Sequence, residues 1–257
     1  MLQLVFFGLL ATGVSTSASA ESYAVQEIQI SEPVNALAEA ILEPIGIGYF
    51  QFPPRMARVG GKAVGSAITA AEELMTEAGL TYVFVHIPVG RLYANFRGKS
   101  SVVQVWIGAV QPASVELGVL IEPSIFGIIH LNIYGLKGVP PPASDDLFDV
   151  SLITITGYNY GGFLAVLKAR KAGVRAIATP NHVSAFRMLQ AGRAPYVLDY
   201  KNPAEIALAT LEFTGVTSTT VSVGAAGMLV SKQAQQKGLL IARLEAASRR
   251  IVARKYQ

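Results

Sequence analysis

The chain has 257 residues, 51% of them apolar, with 21 Lys or Arg against 17 Asp or Glu and no cysteine. That length and apolar share exclude a disordered protein and supply one large core or two modest ones. The absence of cysteine excludes a disulfide scaffold, a cysteine-anchored lipoprotein, a thiol nucleophile and a thiolate metal site.

No charged side chain occurs in the first 20 residues, and Leu4 to Val14 is an apolar run of signal-peptide length, too short to span a bilayer. Ala18, Ser19 and Ala20 supply the small residues of a cleavage site. Residues 1–20 are therefore expected to be a signal peptide, with the mature chain starting at Glu21 and only the amino terminus as the positive end. Pro33 to Leu42 reads as a further helix. Ile45 to Phe52 is apolar and aromatic and reads as a strand, broken by Pro53 and Pro54 and followed by a tight turn at Gly60, Gly61 and Lys62. Ser66 is placed to cap a helix with Ile68, Ala71, Leu74, Met75 and Ala78 on one side and Gly79 at its stop. Thr81 to Ile87, β-branched and aromatic, is the next strand and is closed by Pro88. Strand, helix and strand make a βαβ unit, whose parallel strands need helices on both faces.

From Arg91 to Gly108 an amphipathic helix runs into a glycine and then into an apolar strand, and the same succession recurs from Ser184 to Tyr200. Two similar lobes are expected. The composition breaks between them at Gly138 to Pro142, with three consecutive prolines before Ser144, Asp145 and Asp146. Val150 to Thr156 is a strand, and Gly157 to Gly162 is an aromatic, glycine-rich turn opening a helix near Phe163. Free amides at a helix start favour anions. The spacing matches neither the dinucleotide nor the Walker pattern, so the alternative is a turn whose tyrosines pack on the lobe. In the second copy of the repeat Ala185, Phe186, Met188 and Leu189 form the apolar face and Gly192 the stop. Tyr196 to Leu198 then delivers Asp199 to the carboxyl end of a strand, where open α/β sheets bind ligands; otherwise Asp199 caps a turn before Asn202 and Pro203.

Residues 232–257 hold seven Lys or Arg against only Glu245, with an apolar stripe at Leu240, Leu244, Ala247 and Ile251. Lacking interleaved aromatics and a reading motif, this helix is expected to dock with a solvated basic face, and no nucleic-acid partner is expected. His86, His130 and His182 show no metal-ligand spacing, and Ser151, Ser184 and Ser222 lack a nucleophile-elbow context. No enzyme, cofactor or metal is expected.

In its order of elements the chain resembles the bacterial extracellular solute-binding protein family 3, the type 2 periplasmic substrate-binding proteins of ABC transporters. The resemblance rests on "YFQFPP" from Tyr49, "GKAVGSAITAAEELMTEAGLTYVFV" from Gly61, "PVGRLYANFRG" from Pro88, "GYNYGGFL" from Gly157, "AFRMLQAGRAPYVLDY" from Ala185 and "AAGMLVSK" from Ala225. It implies a two-lobed α/β fold, each lobe a mostly parallel sheet flanked by helices, joined by a two-strand hinge. Lobe 1 would be residues 21–130 plus 232–257 and lobe 2 residues 131–231, closing on a small polar solute. Tyr49 and Phe52 would wall the ligand, Tyr158, Asn159 and Tyr160 would touch it from lobe 2, and Asp199 would accept a hydrogen bond from its amine or hydroxyl. One departure stands out. Where amino-acid binders carry a carboxylate-gripping arginine, this chain reads Ala109, Val110, Gln111, Pro112, Ala113, Ser114, Val115. Arg55 and Arg91 are candidate replacements, and the ligand is expected not to be an ordinary α-amino acid. The resemblance further implies a periplasmic monomer, a small-molecule ligand and an ABC permease partner. The alternatives are a degenerate paralogue with a partner-binding or sensing role, and a dehydratase-like enzyme using Glu116 or Asp199 as acid.

Overall fold

β1 (Ile45–Tyr49) is buried at all five positions, as a strand covered on both faces must be. It opens the part of the chain seen in the computed structural model, which describes residues 43–98, 102–110, 118–121, 125–170 and 173–255. The expected signal peptide, the helix at Pro33 to Leu42, the stretch Gln111 to Val115 and Glu116 lie outside the described residues.

β1 pairs in parallel with β4 (Tyr82–His86), Ile45 opposite Tyr82, after a hairpin of β2 (Ala57–Val59) and β3 (Lys62–Val64) and helix α1 (Ser66–Glu77). α1 buries Ile68, Ala71, Leu74 and Met75, the face expected from their spacing. It ends at Ala78 and Gly79, with Gly79 at φ 63 and the Leu80 amide bonded back to the Met75 carbonyl at 3.0 Å. At its start the expected cap is displaced. Ser66 is the first helical residue and makes no capping bond, while Gly65 holds the cap position at φ 122 and ψ 166. A Cβ on Gly65 would lie 2.4 Å from the Arg55 carbonyl oxygen, so only glycine fits. That same carbonyl accepts the Ala67 amide at 3.0 Å and serves one of the free donors of the first turn.

α2 (Val89–Arg97) follows Pro88 and leads to β5 (Val105–Ala109), parallel to β1 on its other side. The second half repeats this plan: β8 (Ser151–Ile155), α3 (Phe163–Ala169), β9 (Arg175–Thr179), α4 (His182–Gln190) and β10 (Tyr196–Tyr200), with β8 between β9 and β10 and parallel to both. In each half the first strand is central, the second outermost and the third innermost. The repeated helix–glycine–strand segments of the sequence are α2–β5 and α4–β10.

Two long antiparallel strands join the halves. β7 (Ile128–Leu136) pairs with β10 on one side and with β11 (Val216–Ser231) on the other. β11 continues past β7 to pair with β5 and with β6 (Gly118–Ile121). The sheet order is β4-β1-β5-β11-β7-β10-β8-β9, with β6 also on β11. α5 (Lys201–Thr210) follows β10, and the chain ends in α6 (Lys237–Lys255).

Leu240, Leu244, Ala247 and Ile251 of α6 join the larger core, which also holds Ile47, Leu74, Trp106, Met228, Leu198 and Tyr160 and so runs through both halves. A smaller core packs Tyr134, Ile153, Phe186, Leu189, Val197 and Ala204. The basic face of α6 is less solvated than expected. Arg250 Nε and Arg254 hold the two Glu77 carboxylate oxygens of α1 at 2.6 and 2.7 Å. Hydrogen bonds from Arg250 and then Arg254 keep that carboxyl below the usual carboxylate range.

Gly65→Ala is expected to lower unfolding stability by about 1–3 kcal/mol through its backbone angles alone, read from urea melts.

Candidate functional site

Three strands, one from the first half and two from the second, deliver the site from their carboxyl ends. β1 runs into Phe50 and Phe52, β8 into the turn Gly157 to Gly162, and β10 carries Asp199 and Tyr200. Between the halves these residues enclose a cavity of about 40 Å³, lined by Phe50, Phe52 and Trp106 from the first half and Tyr158, Asn159 and Tyr200 from the second. That volume holds a water molecule or two, so the cleft is closed on its own side chains.

Ring packing effects the closure. Phe50 meets Tyr158 with centroids 5.8 Å apart, and Phe52 meets Tyr200 at 5.1 Å, both edge to face. Gly157, at φ 84, touches the start of α2: a Cβ there would sit 2.9 Å from Val89 Cγ1 and 3.1 Å from the Gly90 nitrogen. The Tyr158 hydroxyl donates across the cleft to the Gln51 carbonyl at 2.9 Å. Arg55 donates to the carbonyls of Phe126 and Ile128, tying its loop to the start of β7. Burial lowers its pKa.

Behind Tyr158 lies a buried polar pair. Asp199 is 0% exposed, with Oδ2 2.7 Å from His182 Nδ1 and Oδ1 accepting the Tyr200 amide at 2.7 Å. His182 Nε2 stands 3.3 Å from the Tyr158 hydroxyl. That hydroxyl has one proton, which goes to Gln51, so its oxygen accepts from Nε2 and a second proton lies between Nδ1 and Oδ2. With this assignment the pair is neutral overall. Burial raises the Asp199 carboxyl and outweighs the His182 hydrogen bond that lowers it. Burial first, and the Asp199 charge second, push the phenols of Tyr134, Tyr158 and Tyr160 up.

The expected site residues divide. Phe52, Arg55, Tyr158 and Asn159 line the cavity. Tyr49 is 2% exposed and packs against Phe84 and His86, away from the lining. Tyr160 is turned inward at φ 49, stacks on Tyr200 at 5.8 Å and accepts the Ile155 amide. Arg91 lies exposed on α2, outside the lining. Asp199 caps no later turn; it sits beneath Tyr158 with both oxygens engaged. The glycine-rich turn spends its Gly161 and Gly162 amides on Asn159, so the packing alternative describes it better than an anion cradle. Sequence reasoning missed Phe50, Trp106, Tyr200 and His182. Only Tyr200 had a local signal, as the neighbour of Asp199. Among the described residues no group of three or more His, Asp or Glu is placed to hold a metal, and no helix is long and apolar enough to cross a membrane.

No family model and no curated protein matches the sequence. Solved structures do. A histidine kinase sensor domain with similarity to periplasmic binding proteins aligns at TM-score 0.68 and 19% identity, over 83% of this chain and 91% of that one. The fold is that of the periplasmic binding proteins. An ancestral arginine-binding protein bound to arginine aligns at TM-score 0.67 and 18% identity, over 83% and 94%. The arginine-, lysine-, histidine-binding protein ArtJ of Geobacillus stearothermophilus aligns at 0.64 and 18%, over 82% and 90%. At such identities the likeness carries the fold and not the ligand.

Asp199→Ala is expected to cost about 3–5 kcal/mol, because it strands His182 and the Tyr200 amide, whereas His182→Phe with Asp199→Leu restores most of that loss. Urea melts of the three proteins check this. Tyr134, Tyr158 and Tyr160 have folded-state pKa values raised above the ordinary phenol value of about 10, so their stabilisation is full below it and is lost as pH rises through the folded values. In an alkaline titration, tyrosinate absorbance from these three is expected to appear only together with loss of the folded circular dichroism signal.

Proposed function

We propose that the protein is a solute-binding protein that captures a small solute, other than a standard α-amino acid, by closure of two lobes. The observation that carries this reading is the cavity itself, walled by Phe50 and Phe52 from one half and Tyr158 and Tyr200 from the other. A ligand between such walls stabilises the closed state by touching both. Residues 21–130 with 232–257 would be one lobe and residues 131–231 the other, turning on β7 and β11. Phe52, Tyr158 and Asn159 would contact the solute directly. Tyr160 and Asp199 would fix the position of Tyr158, and Tyr49 would support the wall from behind. Arg55 would hold the loop to the hinge, and Arg91 would stay outside the contact set. Export through residues 1–20, a periplasmic monomer and delivery to an ABC permease complete the reading. Asp199 has no catalytic part in it, since both its oxygens are already hydrogen-bonded.

A second reading, a sensing or partner-binding role, is favoured by two observations. The cleft closes on its own side chains, and a sensor domain of a histidine kinase shares the fold.

Denaturation of the mature chain from Glu21 against amino acids, polyamines, organic acids, small sugars and neutral ring compounds tests both. A captured solute is expected to raise stability by about 2.7 kcal/mol at a hundredfold excess over its Kd and to compact the protein in small-angle scattering. No shift from any compound would overturn solute capture and leave the sensing role.

A further inference from the structure

Trp106 stands out among the cavity residues. It is 2% exposed, and its indole Nε1 is buried with no hydrogen-bond partner among the described residues. Buried donors without partners are uncommon in native proteins and call for an explanation. The nitrogen edge of the indole faces Gly108: a Cβ there would lie 2.7 Å from Cε2 and 3.0 Å from Nε1. Gly108, Ala109 and Ala226 also line the cavity, so the wall beside this donor is made of the smallest side chains. Tyr93 meets the indole edge to face at 4.9 Å and fixes its plane.

One charged side chain, Arg55, lines the cavity among the described residues. It donates to the carbonyls of Phe126 and Ile128, neutral partners that leave its positive charge uncompensated, while Asp199 lies behind the lining with both oxygens taken by His182 and the Tyr200 amide. A cationic ligand would lose its water without gaining a counter-charge, whereas a flat ring without positive charge would meet Phe50, Phe52 and Tyr158 and exclude water from them.

We propose that the cleft selects a ring compound that has no positive charge and carries one hydrogen-bond acceptor, and that Trp106 is the specificity-determining residue, its Nε1–H donating to that acceptor. The inference rests on the solute-capture reading and names its ligand class. In the closed cleft the cavity is smaller than such a ring, so the halves part to admit it and Trp106 meets it as they close again.

Trp106 is the one tryptophan of the sequence, so intrinsic fluorescence reports this position alone. The mature chain is titrated with benzamide, phenol, ethylbenzene, benzoate and arginine, by calorimetry and by tryptophan emission. Benzamide, phenol or benzoate is expected to bind saturably and shift the emission, with ethylbenzene, which lacks an acceptor, at least about tenfold weaker. Trp106→Phe, with folding checked by urea melt, is expected to erase the preference for benzamide over ethylbenzene. Ethylbenzene binding the unaltered chain as tightly as benzamide would overturn the role of the indole donor without any variant. Arginine binding while the neutral rings fail would overturn the inference and leave solute capture standing. Binding of none of these compounds, together with no hit in the wider solute panel, would overturn both.

Discussion

β11 hydrogen-bonds to β7 along its first ten residues and to β5 and β6 along its last, so each half of the molecule is attached to the other through one continuous backbone. A strand in that position must satisfy two sheets at once, and the register shows where it yields. A bulge falls between Thr220 and Ser222, opposite Asn132 and Leu131. Extra residues of this kind bend a strand and strengthen its local twist. Thr220 Oγ1 donates to Asn132 Oδ1 at 2.9 Å beside it and holds the two strands together where the ladder is interrupted. Any relative movement of the halves would be absorbed near this point, because the paired segments on either side are held by their own sheets.

The contents of the cleft set the energetics of opening. Asp199 is fully buried, and its hydrogen bonds to His182 and the Tyr200 amide are what make the burial tolerable. Through His182 the pair reaches Tyr158, and through the Tyr158 hydroxyl it reaches the backbone of the opposite half. Opening therefore breaks a hydrogen bond and separates the Phe50–Tyr158 and Phe52–Tyr200 ring pairs. Any ligand that needs the cleft open binds with an apparent affinity lowered by the fraction of molecules that are open.

Much of the fold was legible because it is written in local patterns. The α1 face, the Gly79 and Gly192 stops and the α6 stripe follow from residue spacing, and the recurrence of helix, glycine and strand anticipated the paired halves. Reading failed where a distant contact decides. Ser66 is a good cap by type, yet the Arg55 carbonyl presses on Gly65 and moves the cap back by one residue. The site was legible in part for the same reason. Phe52, Tyr158 and Asn159 lie in turns that any reader would inspect, whereas Trp106 lies within a buried strand and looks like core. His182 is an isolated histidine in sequence. Only the return of β10 beside the start of α4 brings Asp199 within 2.7 Å of it.

The docking of α6 on α1 has a consequence for the order in which the chain acquires structure during synthesis. β7, β8, β9 and β10 form a sheet among themselves from residues 128–200, so the second half has its sheet partners as soon as those residues are made. β4, β1 and β5 pair among themselves earlier still, but the second side of β5 waits for β11, and α1 waits for the stripe of α6 at Leu240, Leu244, Ala247 and Ile251. The half whose sequence begins first is thus the last to be completed. Until β11 and α6 have emerged, the open flank of β5 and the apolar face of α1 remain surfaces on which nascent chains associate wrongly or chaperones act.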